Sequence, residues 1–126
     1  MAHGFVQSFD QNLTVRSAGT EPALQVNRRA VAVMREVGIE IGSHVPTLVD
    51  QYLNETWDFV ITVCDHANEV CPFFSGKVKN RLHMGFEDPS HAIGTEDFIM
   101  GEFRRIRDAI KVEFYNLYVN QIKPLI

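Results

Sequence analysis

Apolar and polar positions recur along this chain with two distinct periods. Residues 59–63, Phe59-Val60-Ile61-Thr62-Val63, form a short run of β-branched and aromatic side chains, which predicts a buried strand. Leu13-Thr14-Val15-Arg16-Ser17 alternates apolar and polar, predicting a short strand over 13–17. Residues 78–82 predict a third, more basic strand. Elsewhere the period is helical. Phe103, Ile106, Ile110, Phe114 and Leu117 make one apolar stripe and predict a long helix over 96–119, opened by Thr95 and not extended past Pro124. Ala30, Val31, Met34 and Val37 predict a helix over 27–37, capped by Asn27 and ended by Gly38. Residues 1–9 predict a helical stub that buries Phe5, Val6 and Phe9, followed by a turn at 10–12. Thr47 opens a short helix with Leu48, Val49, Tyr52 and Leu53 inward. Strands alternating with helices imply an α/β fold with a mainly parallel sheet, although three strands are few for one.

Composition narrows the class. The 126 residues suffice for one domain, 1–126, with a real core. Apolar residues are 45% and charged residues 22%, an ordinary soluble balance. No apolar stretch has the length of a bilayer span, and the amino terminus does not read as a secretory signal. A net charge of −4 argues against a general nucleic-acid binder. Two cysteines cannot build a disulfide framework, so the expected location is cytoplasmic, where neighbouring thiols are redox-active or metal-binding more often than structural.

Both cysteines flank one segment, Cys64-Asp65-His66-Ala67-Asn68-Glu69-Val70-Cys71, directly after the 59–63 run. Loops leaving the carboxyl ends of parallel strands line ligand crevices. Were the intervening residues a regular helix, the two cysteines would lie about 10 Å apart along its axis. A disulfide needs α-carbons within about 7 Å, so the pair closes only if that turn unwinds. This makes Cys64 and Cys71 a candidate redox switch. Two readings stand beside it: buried cysteines acting as small apolar residues, and a zinc site from Cys64, His66, Cys71 and His83, whose spacing fits no common metal motif.

A second candidate lies in Gly85-Phe86-Glu87-Asp88-Pro89. Pro89 restricts Asp88 to extended conformations, which aims its carboxyl as a general acid would require; a turn stiffened by Asp-Pro explains the same residues. His3, His44 and His91 fall near turns or helix ends and read as solvated or capping groups. Arg104, Arg105, Arg107 and Lys111 read as the solvated face of the last helix, with a partner surface as the alternative.

Taken in order, Ser17-Ala18-Gly19-Thr20, the 27–38 helix, Ile61-Thr62-Val63-Cys64-Asp65, Cys71-Pro72, Gly85-Phe86-Glu87-Asp88-Pro89 and Phe103-Arg104-Arg105-Ile106-Arg107-Asp108 resemble the thioredoxin-coupled arsenate reductases, which share the low-molecular-weight protein tyrosine phosphatase fold. The likeness covers nearly the whole chain, and the two-cysteine segment is its most specific part. It implies a three-layer α/β sandwich with a small parallel sheet. It implies arsenate, or a phosphate-like oxyanion, as substrate and no cofactor; the cation site that some members have near the anion loop is not carried over, because His3 stands where its acidic residue is expected. In the family a cysteine of an anion loop attacks arsenic. The residue matched by Cys64 attacks that cysteine and releases arsenite. The residue matched by Cys71 then closes a disulfide that thioredoxin reduces, and the acid matched by Asp88 protonates the leaving oxygen.

The sequence departs from that pattern in one respect. The family's first strand and C-x5-R anion loop precede residues resembling Met1-Ala2-His3-Gly4-Phe5, and here no cysteine comes before Cys64 and no arginine before Arg16. The expectation is therefore a fold lacking its first strand, with no arsenate turnover from these residues alone. Exposed sheet edges and lowered stability, or a strand shared with a second copy in a homodimer, are expected too. A truncated reading frame is favoured over genuine loss of the loop. The competing functions are a phosphatase of the same fold, which would not need Cys71, and a non-catalytic redox or binding module that docks thioredoxin.

Overall fold

The computed structural model describes residues 1–19, 22–65 and 74–126. Their order is α1 (Ala2–Phe9), α2 (Arg28–Glu36), a 3-10 turn (Val49–Tyr52), β1 (Thr56–Thr62), β2 (Lys77–His83), a 3-10 turn (Pro89–His91) and α3 (Glu96–Leu117). A π-helical turn (Tyr118–Ile122) and a 3-10 turn (Lys123–Leu125) close the chain.

The helices form where the side chains demand it. The Asn27 side chain accepts from the N–H groups of Arg29 and Ala30, and Gly38, at φ +79°, supplies the left-handed turn after α2. Thr95 accepts from the Phe98 N–H, while Glu96 and Asp97 place negative charge at the positive end of α3. All five residues of the predicted stripe, Phe103, Ile106, Ile110, Phe114 and Leu117, are buried. They meet Phe5 and Val6 of α1 and Ala30, Val33 and Met34 of α2 in one core that includes Ile41. Phe9 packs edge-on to Tyr115, with ring centroids 5.2 Å apart.

The inward face of α2 is rotated from the predicted one. Val33 is fully enclosed, whereas Val37 is exposed, because the helix ends at Glu36 and Val37 lies beyond its last turn. The helix expected after Thr47 is a 3-10 turn, and Leu48 is exposed.

β1 and β2 pair in parallel, with Thr56 opposite Lys77 and Thr62 opposite His83. Phe59, Ile61 and Leu82 face the helical core, partly buried. The alternate positions carry Asp58 and Lys79, which form an ion pair at 3.3 Å. The 59–63 run is thus half-buried rather than wholly enclosed, since among the described residues charge occupies its other face. Residues 13–17 do not join a ladder. Their only neighbouring sheet contact is an isolated bridge in which Gly19 pairs with Leu48, so among the described residues the sheet has two strands, not three. Periodicity marks a segment as able to be a strand, and a partner makes it one. The small parallel sheet and its helices match the expectation of a low-molecular-weight phosphatase-like α/β fold.

Candidate active site

The site forms where β1 and β2 end together. The Met84 N–H donates to the Thr62 carbonyl at 2.8 Å and the Phe86 N–H to the Val63 carbonyl at 3.1 Å, so 84–86 runs beside Val63 and Cys64. Cys64 therefore leaves the sheet next to the loop that carries Asp88. Asp65 lines an open hollow of about 540 Å3 together with Glu87, Asp88, Phe98 and Arg105. A second hollow of about 500 Å3 adds His83, Gly85 and Ala109, and both share Asp65, Glu87, Arg105 and Ile106.

Asp88 caps the turn Pro89–His91. Its Oδ1 accepts from the Ser90 N–H at 2.9 Å and from the Ser90 hydroxyl at 2.7 Å. Its Oδ2 lies 3.7 Å from His91 Nε2. The carboxyl is thus fixed by its own loop, as the turn reading expects, and Asp88 also lines the hollow. Cys71, like His66, lies outside the described residues, so its position relative to Cys64 is not part of this geometry. Among the described residues no group of three or more potential ligands could hold a metal ion.

Arg104, Arg105 and Lys111 lie on an exposed face of α3, as expected, whereas Arg107 does not. Arg107 is only 8% exposed and donates to the Val33 carbonyl at 3.0 Å, to Glu36 at 2.8 Å and to Asp108 at 2.8 Å. Arg104 grips Glu36 from the other side at 2.9 Å, and the hydrogen bond from Arg104, with that from Arg107, holds the Glu36 carboxyl below the usual carboxylate range. Arg105 donates to Glu102 at 2.6 Å and to Glu87 at 2.9 Å. That contact ties the loop bearing Asp88 to α3, and the two carboxylates raise the guanidinium pKa further.

Two features escaped the sequence. Thr62 Oγ1 and His83 Nδ1 share a 2.7 Å hydrogen bond across the strand pair. A Cβ added to Gly85 would stand 3.1 Å from His83 Nε2 and 3.2 Å from the Cys64 carbonyl oxygen, so ring and cysteine backbone flank one point. Both needed the parallel register, which periodicity does not supply. At the far end of the core, His3 stacks on His44 with centroids 4.3 Å apart and bonds the Ser17 hydroxyl at 2.8 Å. Burial, then the positive groups His44, the amino terminus and Arg16, lower its pKa to about 4.

A small parallel sheet with a hollow beyond its carboxyl end, lined by Asp65 and the Asp-Pro loop, fits an α/β protein of phosphatase-like architecture. The chain belongs to the low molecular weight phosphotyrosine protein phosphatase family, whose pattern it matches over residues 1–124. It is 41% identical over 111 residues to an arsenate reductase of Halalkalibacterium halodurans, covering 87% of this chain and 78% of that one. Similarity to an arsenate reductase of Bacillus subtilis (strain 168) is 39% over the same length and coverage. Among solved structures, an arsenate reductase in its reduced state superposes with a TM-score of 0.72 at 26% identity, over 92% of this chain and 83% of that one.

Proposed function

We propose that these residues form the relay portion of an arsenate reductase, in which Cys64 and Cys71 carry electrons from thioredoxin to an arsenic adduct. The hollow lined by Asp88 and by Asp65, the residue that follows Cys64, carries the reading, and the relatives that bear the name arsenate reductase support it. In the proposed sequence a cysteine outside these 126 residues attacks arsenate, and Asp88 protonates the departing oxygen. The Cys64 thiolate attacks that cysteine's sulfur. The sulfur–arsenic electron pair stays with arsenic, which leaves as arsenite, two electrons richer. Cys71 then attacks the Cys64 sulfur, the first cysteine departs as thiolate, and a thioredoxin dithiol reduces the Cys64–Cys71 disulfide.

No cysteine precedes Cys64 in this sequence, so the residues alone are expected to show no thioredoxin-dependent arsenate reduction. Turnover by this chain would contradict that. The relay itself is tested separately. Thioredoxin with its reductase and NADPH should consume one NADPH per oxidised chain, and Cys71→Ser should abolish that consumption. Equal consumption by the variant would refute the relay and favour a phosphatase-type or purely structural role for the pair. The proposed compartment is the cytoplasm, where a thioredoxin pool keeps such a pair reduced.

A further inference from the structure

α3 and the turn that continues it are apolar on two opposite faces. Ile106, Ile110, Phe114 and Leu117 face the core. Val112, Tyr115 and Val119 recur at intervals of three and four. At about 100° per residue they lie across the helix from the buried stripe. They are 58%, 47% and 41% exposed. A helix with apolar residues on both sides is one built to be covered on both. Phe59 and Ile61 of β1 pack on the same core, so the outer seam looks away from the sheet. The ends of the seam indicate what covers it. Asp108 lies one turn before it, and although its Oδ1 accepts from Arg107 at 2.8 Å, its side chain is 63% exposed. Beyond the seam, the π-helical turn Tyr118–Ile122 buries Ile122 and turns the next residue, the exposed Lys123, outward. One end of the seam is therefore acidic and the other basic.

The geometry points to a homodimer in which two copies pack α3 against α3, antiparallel, through Val112, Tyr115 and Val119. A two-fold axis level with Tyr115 and Asn116 sets Val112 against Val119 of the second copy and Asp108 against its Lys123, each pair made twice. Lys111 then faces the uncharged Asn120, so no like charges meet along the seam. The apolar residues supply the contact, and the Asp108–Lys123 pairs fix direction and register, as flanking charges do between paired helices. Mixed signs at the two ends do not suit an anionic lipid surface. A stable interface buries about 800 Å2 per partner, and three side chains of this size supply less, so the association is weak and concentration-dependent. It is independent of the relay reading and of any pairing at the sheet edge.

The test is sedimentation equilibrium of the full chain in reducing buffer, where no disulfide between copies persists. The mass should rise from one chain toward two as concentration increases. Val112→Glu sets a charge against Val119 of the second copy and should weaken association by about tenfold or more. Asp108→Lys and Lys123→Asp should each weaken it, and the two together should restore it. A zero-length carbodiimide should join Asp108 to Lys123 between isotope-labelled and unlabelled copies, because within one chain the two lie about 20 Å apart along the axis. The charge exchange and the cross-link keep the inference open to refutation if Val112→Glu does not fold. A single chain mass at every concentration overturns it, even if the chain binds anionic vesicles. So does a dimer that a folded Val112→Glu protein retains unchanged, which would place the contact elsewhere, or a charge exchange that restores nothing. No readout needs arsenate, thioredoxin or the Cys64–Cys71 bond, so failure of the relay reading would be seen separately.

Discussion

His3 shows how one side chain sets a pH limit. Its pKa is about 4 in the folded chain, against 6.5 in an unfolded one, so the unfolded state takes up the proton first as pH falls. The stabilising contribution of neutral His3 is full above about 6.5 and is lost as pH drops toward about 4. Thermal melts should therefore fall across that window, and His3→Gln should flatten the loss; an equal slope in both proteins would contradict the assignment. Glu36, Glu40 and Glu96, all held below their ordinary values by arginine partners, add their loss at lower pH. Arg107 sits at a second sensitive position. Arg107→Ala strands the enclosed Val33 carbonyl and frees Glu36, and should cost on the order of 2–4 kcal/mol in urea unfolding. A cost under about 0.5 kcal/mol, the range of ordinary surface substitutions, would mean these bonds are replaced by water.

Between elements, α3 is the member that holds the others in place. Arg29 of α2 meets Glu96 at the start of α3, and Glu36 at the end of α2 meets Arg104, so the two helices run side by side in the same direction. Phe103, 2% exposed, lies in the core between them, and Phe103→Ala should lower stability by about 3–5 kcal/mol, measured as a shift in denaturant midpoint. This stripe was the most legible feature of the sequence, because five apolar residues at helical spacing admit only one burial pattern. The caps at Asn27 and Thr95 were equally plain, since they are local. The strand over 13–17 was misjudged for the opposite reason: alternation is local but pairing is not. Arg107 was misread as solvated because charge at a helix surface gives no hint that the Val33 carbonyl and Glu36 lie opposite.

At the scale of the whole molecule, the two strands among the described residues pack against one helical core. Cys64 and Asp88 were readable as candidates because turn chemistry and motif order survive in one dimension. The hollow that Asp65 shares with Asp88, and the Thr62–His83 bond, depend on the parallel register of β1 and β2. Among the described residues the sheet has two strands, and the edge of a sheet is a general site for adding another. A second copy is the proposed partner: light scattering after size exclusion should return twice the chain mass at high concentration, and a single chain mass throughout would remove it. The relay is tested most directly by peptide mapping after mild oxidation and by re-reduction with thioredoxin. The expected result is one intrachain bond joining Cys64 to Cys71, opened by thioredoxin; sulfurs that stay unlinked to each other under oxidising conditions would contradict the assignment.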